Sequence, residues 1–270
     1  MINAVSPSTP HMRPRTVAAN TARDTIPPGV AEQLVSLLEP TSIAADQYRA
    51  LRYSIETFRK ESGLRVLGVT SPSPGDGKTV TTLNLAGALA QAPDARVLII
   101  DADLRKPSVA PYLGLRDRRS PGLTHALCDD RFDLADIVHH MKPFNLSVIT
   151  AGTPTASPYE LLSSARLDVL LRQARRDYDC IVIDTPPAVL LPDCRVIERC
   201  VDGFVIVVCA HKTPRRMVAE ALNQFDPAKV LGCVFNGDDR TAARYYGGYG
   251  YYGGETSSAR RFWQRLLHKS

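Results

Sequence analysis

VLGVTSPSPGDGKT, residues 66–79, is the stretch that decides the fold. An apolar run leads into a glycine-rich turn and then into a helical pattern with Leu83, Leu85 and Leu89 on its apolar side. Glycines allow backbone N–H groups to converge on phosphate oxygens, and a helix N-terminus adds positive potential. The stretch therefore predicts a phosphate-binding loop. Pro72 departs from the first position of the strict GxxxxGK[ST] pattern, and a structural Gly/Pro turn is the alternative.

The loop supplies most of the predicted nucleotide contacts. Lys78 is expected to reach the β- and γ-phosphates, and the Thr79 hydroxyl is expected to bind Mg²⁺. Asn236, at the end of the last apolar run, offers an amide that can pair with a purine edge, although asparagine is also common in turns. The predicted nucleotide-binding residues are Gly75, Asp76, Gly77, Lys78, Thr79, Val80 and Asn236.

Two further apolar runs end in aspartate. Residues 97–100 are followed by Asp101 and Asp103, and residues 180–183 are followed by Asp184. The carboxyl ends of parallel strands share one edge of a sheet, so we expect these carboxylates to face the phosphate loop. There a carboxylate can accept a hydroxyl proton or hold a metal ion, although such an aspartate often only caps the next segment. The order of the three motifs favours a catalytic site.

Six short apolar runs alternate with helical patterns between residues 65 and 236. They span 66–70, 97–100, 146–150, 180–183, 204–208 and 230–235. Near-continuous apolar strands separated by helices are typical of a parallel sheet that is covered on both faces. The predicted fold class is therefore α/β, a mostly parallel β-sheet with helices on both faces, of the P-loop NTPase type.

Composition divides the chain into four segments. Residues 1–30 contain five prolines and few large apolar residues, which predicts a disordered N-terminal tail. Residues 31–60 predict two amphipathic helices, divided near Pro40. Residues 61–240 form the predicted catalytic domain. Residues 241–270 hold a Gly/Tyr-rich stretch and a short basic segment.

Bulk properties narrow the functional classes. The chain has 270 residues, 44% of them apolar, and a formal net charge of +5, which does not by itself demand a nucleic-acid partner. Its six cysteines form no CxxC pair and fall mostly in apolar stretches, as reduced cysteines of a cytosolic protein do. No apolar run approaches the roughly 20 residues that a membrane helix needs. We therefore expect a cytoplasmic enzyme.

The motifs resemble those of the bacterial tyrosine kinases of polysaccharide biosynthesis, deviant-Walker relatives of the MinD/ParA ATPases. The resemblance covers residues 42–254 and rests on SPSPGDGKT at 71–79, VLIIDADLRKP at 97–107 and IVIDTPP at 181–187. It implies ATP and Mg²⁺ as cofactors. By resemblance, Lys78 is a catalytic and ATP-binding residue, Asp101 is the base toward tyrosine, and the metal site uses Thr79, Asp103 and Asp184.

The same resemblance implies partners. Family members dock one subunit on the next in a ring through an acidic-x-x-Arg-x-x-Arg helix, and Asp46, Arg49 and Arg52 have that spacing, with aspartate in place of the usual glutamate. A solvated helix face is the alternative. The family also implies a separate membrane-anchored chain-length-determinant protein that recruits and activates the enzyme. The expected location is then the cytoplasm, peripheral at the inner face of the cell membrane.

Five of the ten tyrosines form a cluster near the C-terminus. They are Tyr245, Tyr246, Tyr249, Tyr251 and Tyr252, separated only by glycines. No periodicity would bury them, and about 10 flexible residues beyond Asn236 have a reach of roughly 17 Å. With the kinase-like motifs, the cluster predicts autophosphorylation in trans between identical subunits, which would regulate exopolysaccharide or capsule polymerisation and export. An adhesive tail or a segment that stacks on nucleic acid is the alternative.

Two other functions compete with the kinase. One is a MinD/ParA-like positioning or scaffold ATPase, and the other is a partition ATPase whose DNA binding would be sensitive to salt. MinD/ParA proteins carry a lysine where this chain has Ser73, which favours the kinase. The modest net charge argues against a nucleic-acid partner. Phosphotyrosine in the tail discriminates between the readings.

Overall fold

A seven-stranded β-sheet forms the centre of the chain in the computed structural model, which describes residues 28–115 and 120–238. The strands are β1 (Val66–Thr70), β2 (Val97–Asp101), β3 (His139–Met141), β4 (Leu146–Ile149), β5 (Cys180–Asp184), β6 (Gly203–Cys209) and β7 (Val230–Asn236). Their order in the sheet is β3-β4-β2-β5-β1-β6-β7. All neighbours are parallel except β3 and β4, which are antiparallel.

Helices connect the strands and cover the sheet. They are α1 (Val35–Leu38), α2 (Ile43–Ser62), α3 (Lys78–Leu89), α4 (Val109–Tyr112), α5 (Leu123–Cys128), α6 (Leu134–Ile137), α7 (Pro158–Ser163), α8 (Ala165–Asp177), α9 (Asp193–Ile197) and α10 (Arg215–Leu222). Short 3₁₀ turns span Lys142–Phe144 and Pro227–Lys229. None of the helices within the described ranges is long and apolar enough to cross a membrane.

The strand side chains alternate between two apolar cores, one on each face of the sheet. Strand residues of the first core include Val66, Leu98, Ile100, Ile181, Ile183, Phe204, Ile206 and Val208, and they pack against α5 to α10. Strand residues of the second core include Leu67, Val69, Val97, Ile99, Val182, Val205 and Val207, and they pack against α1 to α4. Helices therefore cover both faces, and the predicted fold class is confirmed.

The helix that follows the phosphate loop is buried more completely than its sequence pattern indicates. The pattern predicted an apolar side with Leu83, Leu85 and Leu89, which are buried, and in the structure eleven of the twelve residues of α3 are buried. The reason is that α1 and α2 cover the outer face of α3. The buried Asn84 is satisfied by this cover, because its Oδ1 accepts a hydrogen bond from Ser36 N and its Nδ2 donates to Gln33 O, each at 2.9 Å.

Two helices precede β1, as the pattern around Pro40 predicts. The first is a single turn, α1, and the second is the 20-residue α2. Helix α2 begins where the side chain of Ser42 accepts a hydrogen bond from Ala45 N at 3.1 Å. It ends at Gly63, which adopts a left-handed φ of 71°. Residues 1–27 of the predicted disordered tail lie outside the described residues.

Candidate functional site

The phosphate loop runs from the end of β1 to the start of α3. Gly75 and Gly77 adopt φ angles of 84° and 97°, a region that favours glycine. A β-carbon on Gly77 would lie 2.0 Å from Asn236 Nδ2, so the end of β7 closes directly on the loop. The glycine at position 77 is therefore required both by its backbone conformation and by this close approach.

Asp76 ties the loop to two other segments. Its Oδ2 accepts a hydrogen bond from Ser73 N at 2.8 Å, which fixes the turn itself. Its Oδ1 accepts from Thr213 Oγ1 at 2.7 Å, and its carbonyl accepts from Asn236 Nδ2 at 3.0 Å. Asp76 is buried, so these bonds replace the water that its carboxylate would otherwise bind. The structure brings Asn236 to the loop, and its predicted contact with a purine stays a prediction.

Lys78 lies among carboxylates. Its Nζ is 2.8 Å from Asp103 Oδ2 and 3.9 Å from Asp184 Oδ2. Burial alone would lower the pKa of Lys78, but the charges of Asp184 and Asp103 outweigh burial and hold the pKa above its ordinary value. The ammonium group is therefore charged at neutral pH and stands at the loop, as a phosphate-binding lysine must.

Asp184 lies at the end of β5 with no exposed surface. Its Oδ2 accepts a hydrogen bond from Thr79 Oγ1 at 2.7 Å, and its Oδ1 accepts from Thr82 Oγ1 at 3.3 Å. Burial raises the pKa of Asp184 to about 6, although Lys78 and Thr79 act in the opposite direction. Thr82 was not predicted from the sequence, and its only signal there is its position three residues after Thr79 on the same helix.

Asp101 is buried at the end of β2 and is held by backbone groups. Its Oδ1 accepts from Asp103 N at 3.2 Å, and its Oδ2 accepts from Ser108 N and Val109 N at 3.1 and 3.0 Å. Burial, followed by the charge of Asp184, raises the pKa of Asp101 to about 8. A carboxylate with a raised pKa is a stronger proton acceptor than ordinary aspartate.

A cleft of about 750 Å³ opens beside Asp101. Its walls are mostly small or apolar, and its lining residues include Pro107, Ala110, Pro111, Thr150 and Gly152. Walls of this kind suit an aromatic or aliphatic group. Asp101 is one of the lining residues, although it has no exposed surface, so the cleft lies beside the end of β2.

The donor set fits Mg²⁺. Asp103 and Asp184, together with the Thr79 hydroxyl, supply hard oxygen ligands beside the phosphate loop. With Asp101, three carboxylates surround a single lysine, and burial, followed by the neighbouring carboxylates, raises the pKa of Asp101 and of Asp184. Within the described part of the chain, no three His, Cys, Asp or Glu side chains form a metal-holding group. Mg²⁺ does not need one, because it uses one or two carboxylates with substrate phosphates and water.

An ion pair that was not predicted supports the segment after β2. Arg105 Nε and Nη2 lie 2.9 and 3.2 Å from the two carboxylate oxygens of Asp193 at the start of α9. Asp193 is 1% exposed, whereas the Arg105 side chain is 37% exposed. Arg105 follows Asp103 by two residues, so the pair joins the aspartate segment to the loop after β5.

The three residues predicted for subunit docking lie on α2. Arg49 pairs with Asp46 and also donates to Pro40 O. Arg52 donates to Glu56 Oε1 at 2.6 Å and to Ala88 O, near the end of α3, at 2.9 Å. Arg49 is thus the more exposed of the two arginines, and Arg52 braces α2 against α3. The five predicted phosphorylation sites lie outside the described residues.

Comparison with known proteins places this site in a family. Residues 64–212 match the AAA domain family, which is more than half of the chain. The chain is 34% identical over 222 residues to the tyrosine-protein kinase YwqD of Bacillus subtilis and covers 91% of it. It is 34% identical over 214 residues to the tyrosine-protein kinase ptk of Acinetobacter johnsonii but spans 29% of that longer protein.

A solved structure agrees with this assignment. The kinase domain of the Escherichia coli tyrosine kinase ETK superposes with a TM-score of 0.71 at 29% sequence identity. The match covers 76% of this chain and 79% of that domain. The similarity therefore extends over about three quarters of each chain.

Proposed function

Because this chain belongs to the bacterial tyrosine-protein kinases, we propose that it transfers the γ-phosphoryl group of ATP to tyrosines in the tails of identical subunits. The acceptors are Tyr245, Tyr246, Tyr249, Tyr251 and Tyr252. The competing function is a MinD/ParA-like positioning or scaffold ATPase, which would hydrolyse ATP and leave these tyrosines unmodified.

One observation carries the proposal: Asp101, which is among the residues that line the cleft, is linked through Asp103 to Lys78 of the phosphate loop. Asp101 is joined to Asp103 by a hydrogen bond, and Asp103 contacts Lys78 at 2.8 Å. A proton acceptor and a phosphate-binding lysine therefore stand within one short chain of contacts. An ATPase needs only a water molecule at this place, whereas a cleft with apolar walls also suits a phenol ring.

The chain's own residues position the two reactants. Backbone N–H groups of the loop and the N-terminus of α3 face the phosphates, and Lys78 neutralises charge on the β- and γ-phosphates. Thr79, Asp103 and Asp184 would hold Mg²⁺, which would supply further positive charge on the phosphate oxygens. Positioning and electrostatics of this kind account for most catalysis of phosphoryl transfer.

The chemical step is a direct displacement. The tyrosine phenolic oxygen forms a bond to the γ-phosphorus, and the bond between the γ-phosphorus and the β,γ-bridging oxygen breaks, so that ADP leaves. Asp101 accepts the phenolic proton. The raised pKa makes Asp101 a stronger base once it is ionised, and the positive charge of Mg²⁺ at the neighbouring carboxylates would favour the ionised form. Three backbone hydrogen bonds hold its carboxylate in place.

Modification of the tail has a clear electrostatic consequence. Each phosphate adds about −1.5 to −2 charges at neutral pH, so five phosphates add about −8 to −10. That exceeds the formal +5 of the whole chain. We infer that phosphorylated tails repel one another and so loosen a ring-like assembly that is docked through Asp46, Arg49 and Arg52. Repeated assembly and loosening would then regulate polysaccharide polymerisation and export. A membrane-anchored partner would recruit the enzyme to the cell membrane.

The first test is mass spectrometry of the purified chain after incubation with Mg²⁺ and ATP. The proposal predicts phosphate on residues 245–252 that is lost in the Lys78→Ala variant. The reaction is run with and without the cytoplasmic segment of the membrane partner. Hydrolysis of ATP with unmodified tyrosines under both conditions supports the scaffold ATPase instead.

A further inference from the structure

Residues 209–213, which include the end of β6 and the turn after it, are hydrogen-bonded to the phosphate loop. Thr213 Oγ1 donates a hydrogen bond to Asp76 Oδ1 at 2.7 Å and accepts one from Cys209 N at 3.0 Å. Ala210 N donates to Asn236 O at 2.8 Å, and Asn236 in turn holds Asp76 through its side chain. Residues 209–213 are therefore fixed against the loop from two sides.

Lys212 lies within this hydrogen-bonded segment, residues 209–213. Its backbone N donates to Cys209 O at 3.2 Å, and the residue before it, His211, adopts a left-handed φ of 61°. Such a conformation is uncommon for a residue other than glycine and persists only where the surroundings impose it. The strained turn places the Lys212 side chain over the phosphate loop. A β-carbon built on Gly75 would lie 4.0 Å from Lys212 Nζ.

The charges of the site give this lysine a role. The ammonium group of Lys78 is already engaged by Asp103 and Asp184. Lys212 is exposed, and within residues 28–115 and 120–238 its ammonium group forms no ion pair. A triphosphate at the loop would bring several negative charges close to Gly75. Lys212 is then a positive charge near the loop that no described carboxylate engages.

We propose that Lys212 is a second phosphate-contacting lysine, which binds the β- or γ-phosphate of a nucleoside triphosphate from the segment after β6. The inference deepens the proposed function at the same site, because it requires nucleotide at the phosphate loop, but it does not require that tyrosine be the acceptor. Lys78 contacts the phosphates from α3, and Lys212 contacts them from the glycine side of the loop.

The test is calorimetric titration of the full chain with ATP, ADP and AMP in the presence of Mg²⁺, using Lys212→Ala and the matched control Arg216→Ala. Arg216 is an exposed cation four residues away, on α10. Loss of one charge-assisted phosphate contact predicts a roughly tenfold rise in the Kd for ATP. AMP binding stays unchanged, the Arg216→Ala chain binds like the wild type, and Lys212→Arg recovers most of the affinity.

Three results would overturn the inference: unchanged ATP affinity in Lys212→Ala, an equal loss in Arg216→Ala, or an equal loss for AMP. An equal loss in the control would reduce the effect to general surface charge. Thermal unfolding shows whether each variant is folded. If Lys212→Ala is not folded, Lys212→Gln takes its place in the titration. If the wild type binds ATP without modifying tyrosine, the kinase proposal fails while the Lys212 result still stands.

Discussion

Thr79 Oγ1 lies 2.7 Å from Asp184 Oδ2, so the start of α3 is hydrogen-bonded to the end of β5 across 105 residues of sequence. The contact arises because β1 and β5 are neighbours in the sheet, with Val69 opposite Asp184. Sheet topology thus brings two separate motifs to one point.

Lys78→Ala is expected to reduce the rate of tyrosine phosphorylation at least a hundredfold. This corresponds to a loss of about 3 kcal/mol of transition-state stabilisation. The reason is that Lys78 contacts both Asp103 and Asp184 and is the lysine proposed to bind the phosphates. Initial rates of phosphotyrosine formation measure the effect. Lys60→Ala, which removes an exposed lysine of α2, is the control and should react at the wild-type rate.

Gly77→Ala is expected to abolish nucleotide binding. Its left-handed φ costs about 1–2 kcal/mol for a residue with a β-carbon, and that atom would collide with Asn236 Nδ2 at 2.0 Å. Gly63→Ala is the matched control, since its φ is 71° but nothing lies within 4 Å of the added atom. The control should lower the free energy of unfolding by the strain alone and leave ATP affinity intact. Equal ATP affinity in the two variants would contradict the structure.

Asp193→Asn is expected to lower kcat by roughly tenfold and to leave the KM for ATP nearly unchanged, which corresponds to about 1.4 kcal/mol. Asp193 is a positioning residue, because it acts through Arg105 on the segment that carries Asp103. Since Arg105 is more than one-third exposed, solvent screening should keep the loss of folding stability small. Steady-state kinetics and thermal unfolding measure the two effects. An increase in KM with an unchanged kcat would assign the pair to ATP binding instead.

Replacing Arg49 and replacing Arg52, both on the predicted docking helix α2, should have different effects on self-association and on folding stability. Arg52→Ala is expected to lower the free energy of unfolding by about 1 kcal/mol, because the bond to Ala88 O is lost. Arg49→Ala removes a more exposed side chain and is expected to weaken self-association with little change in stability. Light scattering gives the mass in solution, and thermal melts give the stability. Unchanged mass in both variants would indicate that α2 is only a solvated helix face.

The strands and the order of their motifs could be predicted because each is local in sequence. An apolar run followed by SPSPGDGKT, or by an aspartate, identifies a strand and the residue at its end without knowledge of the rest. The six predicted strands all exist, each within one residue of its predicted ends. The seventh, β3, has only three residues and two of them are histidines, so it carries no apolar pattern. It is an edge strand defined by pairing with β4.

Contacts between distant segments could not be predicted. Thr213 and Asp76 are 137 residues apart, and Arg105 and Asp193 are 88 residues apart, so only the sheet order brings either pair together. The same limit explains why the nearly complete burial of α3 was not predicted. Its sequence alone shows an apolar side, but the packing of α1 and α2 decides that the polar side is buried as well.

The central claim is transfer in trans to the tyrosine cluster, and a mixing experiment tests it most directly. A chain with Lys78→Ala and an intact tail is incubated with Mg²⁺, ATP and a chain that keeps Lys78 but has all five clustered tyrosines replaced by phenylalanine. Mass spectrometry then examines residues 245–252 of the first chain. The account predicts phosphotyrosine there in the mixture and none in the Lys78→Ala chain alone. Unmodified tyrosines in the mixture, beside a wild-type chain that does phosphorylate its tail, would contradict transfer between subunits.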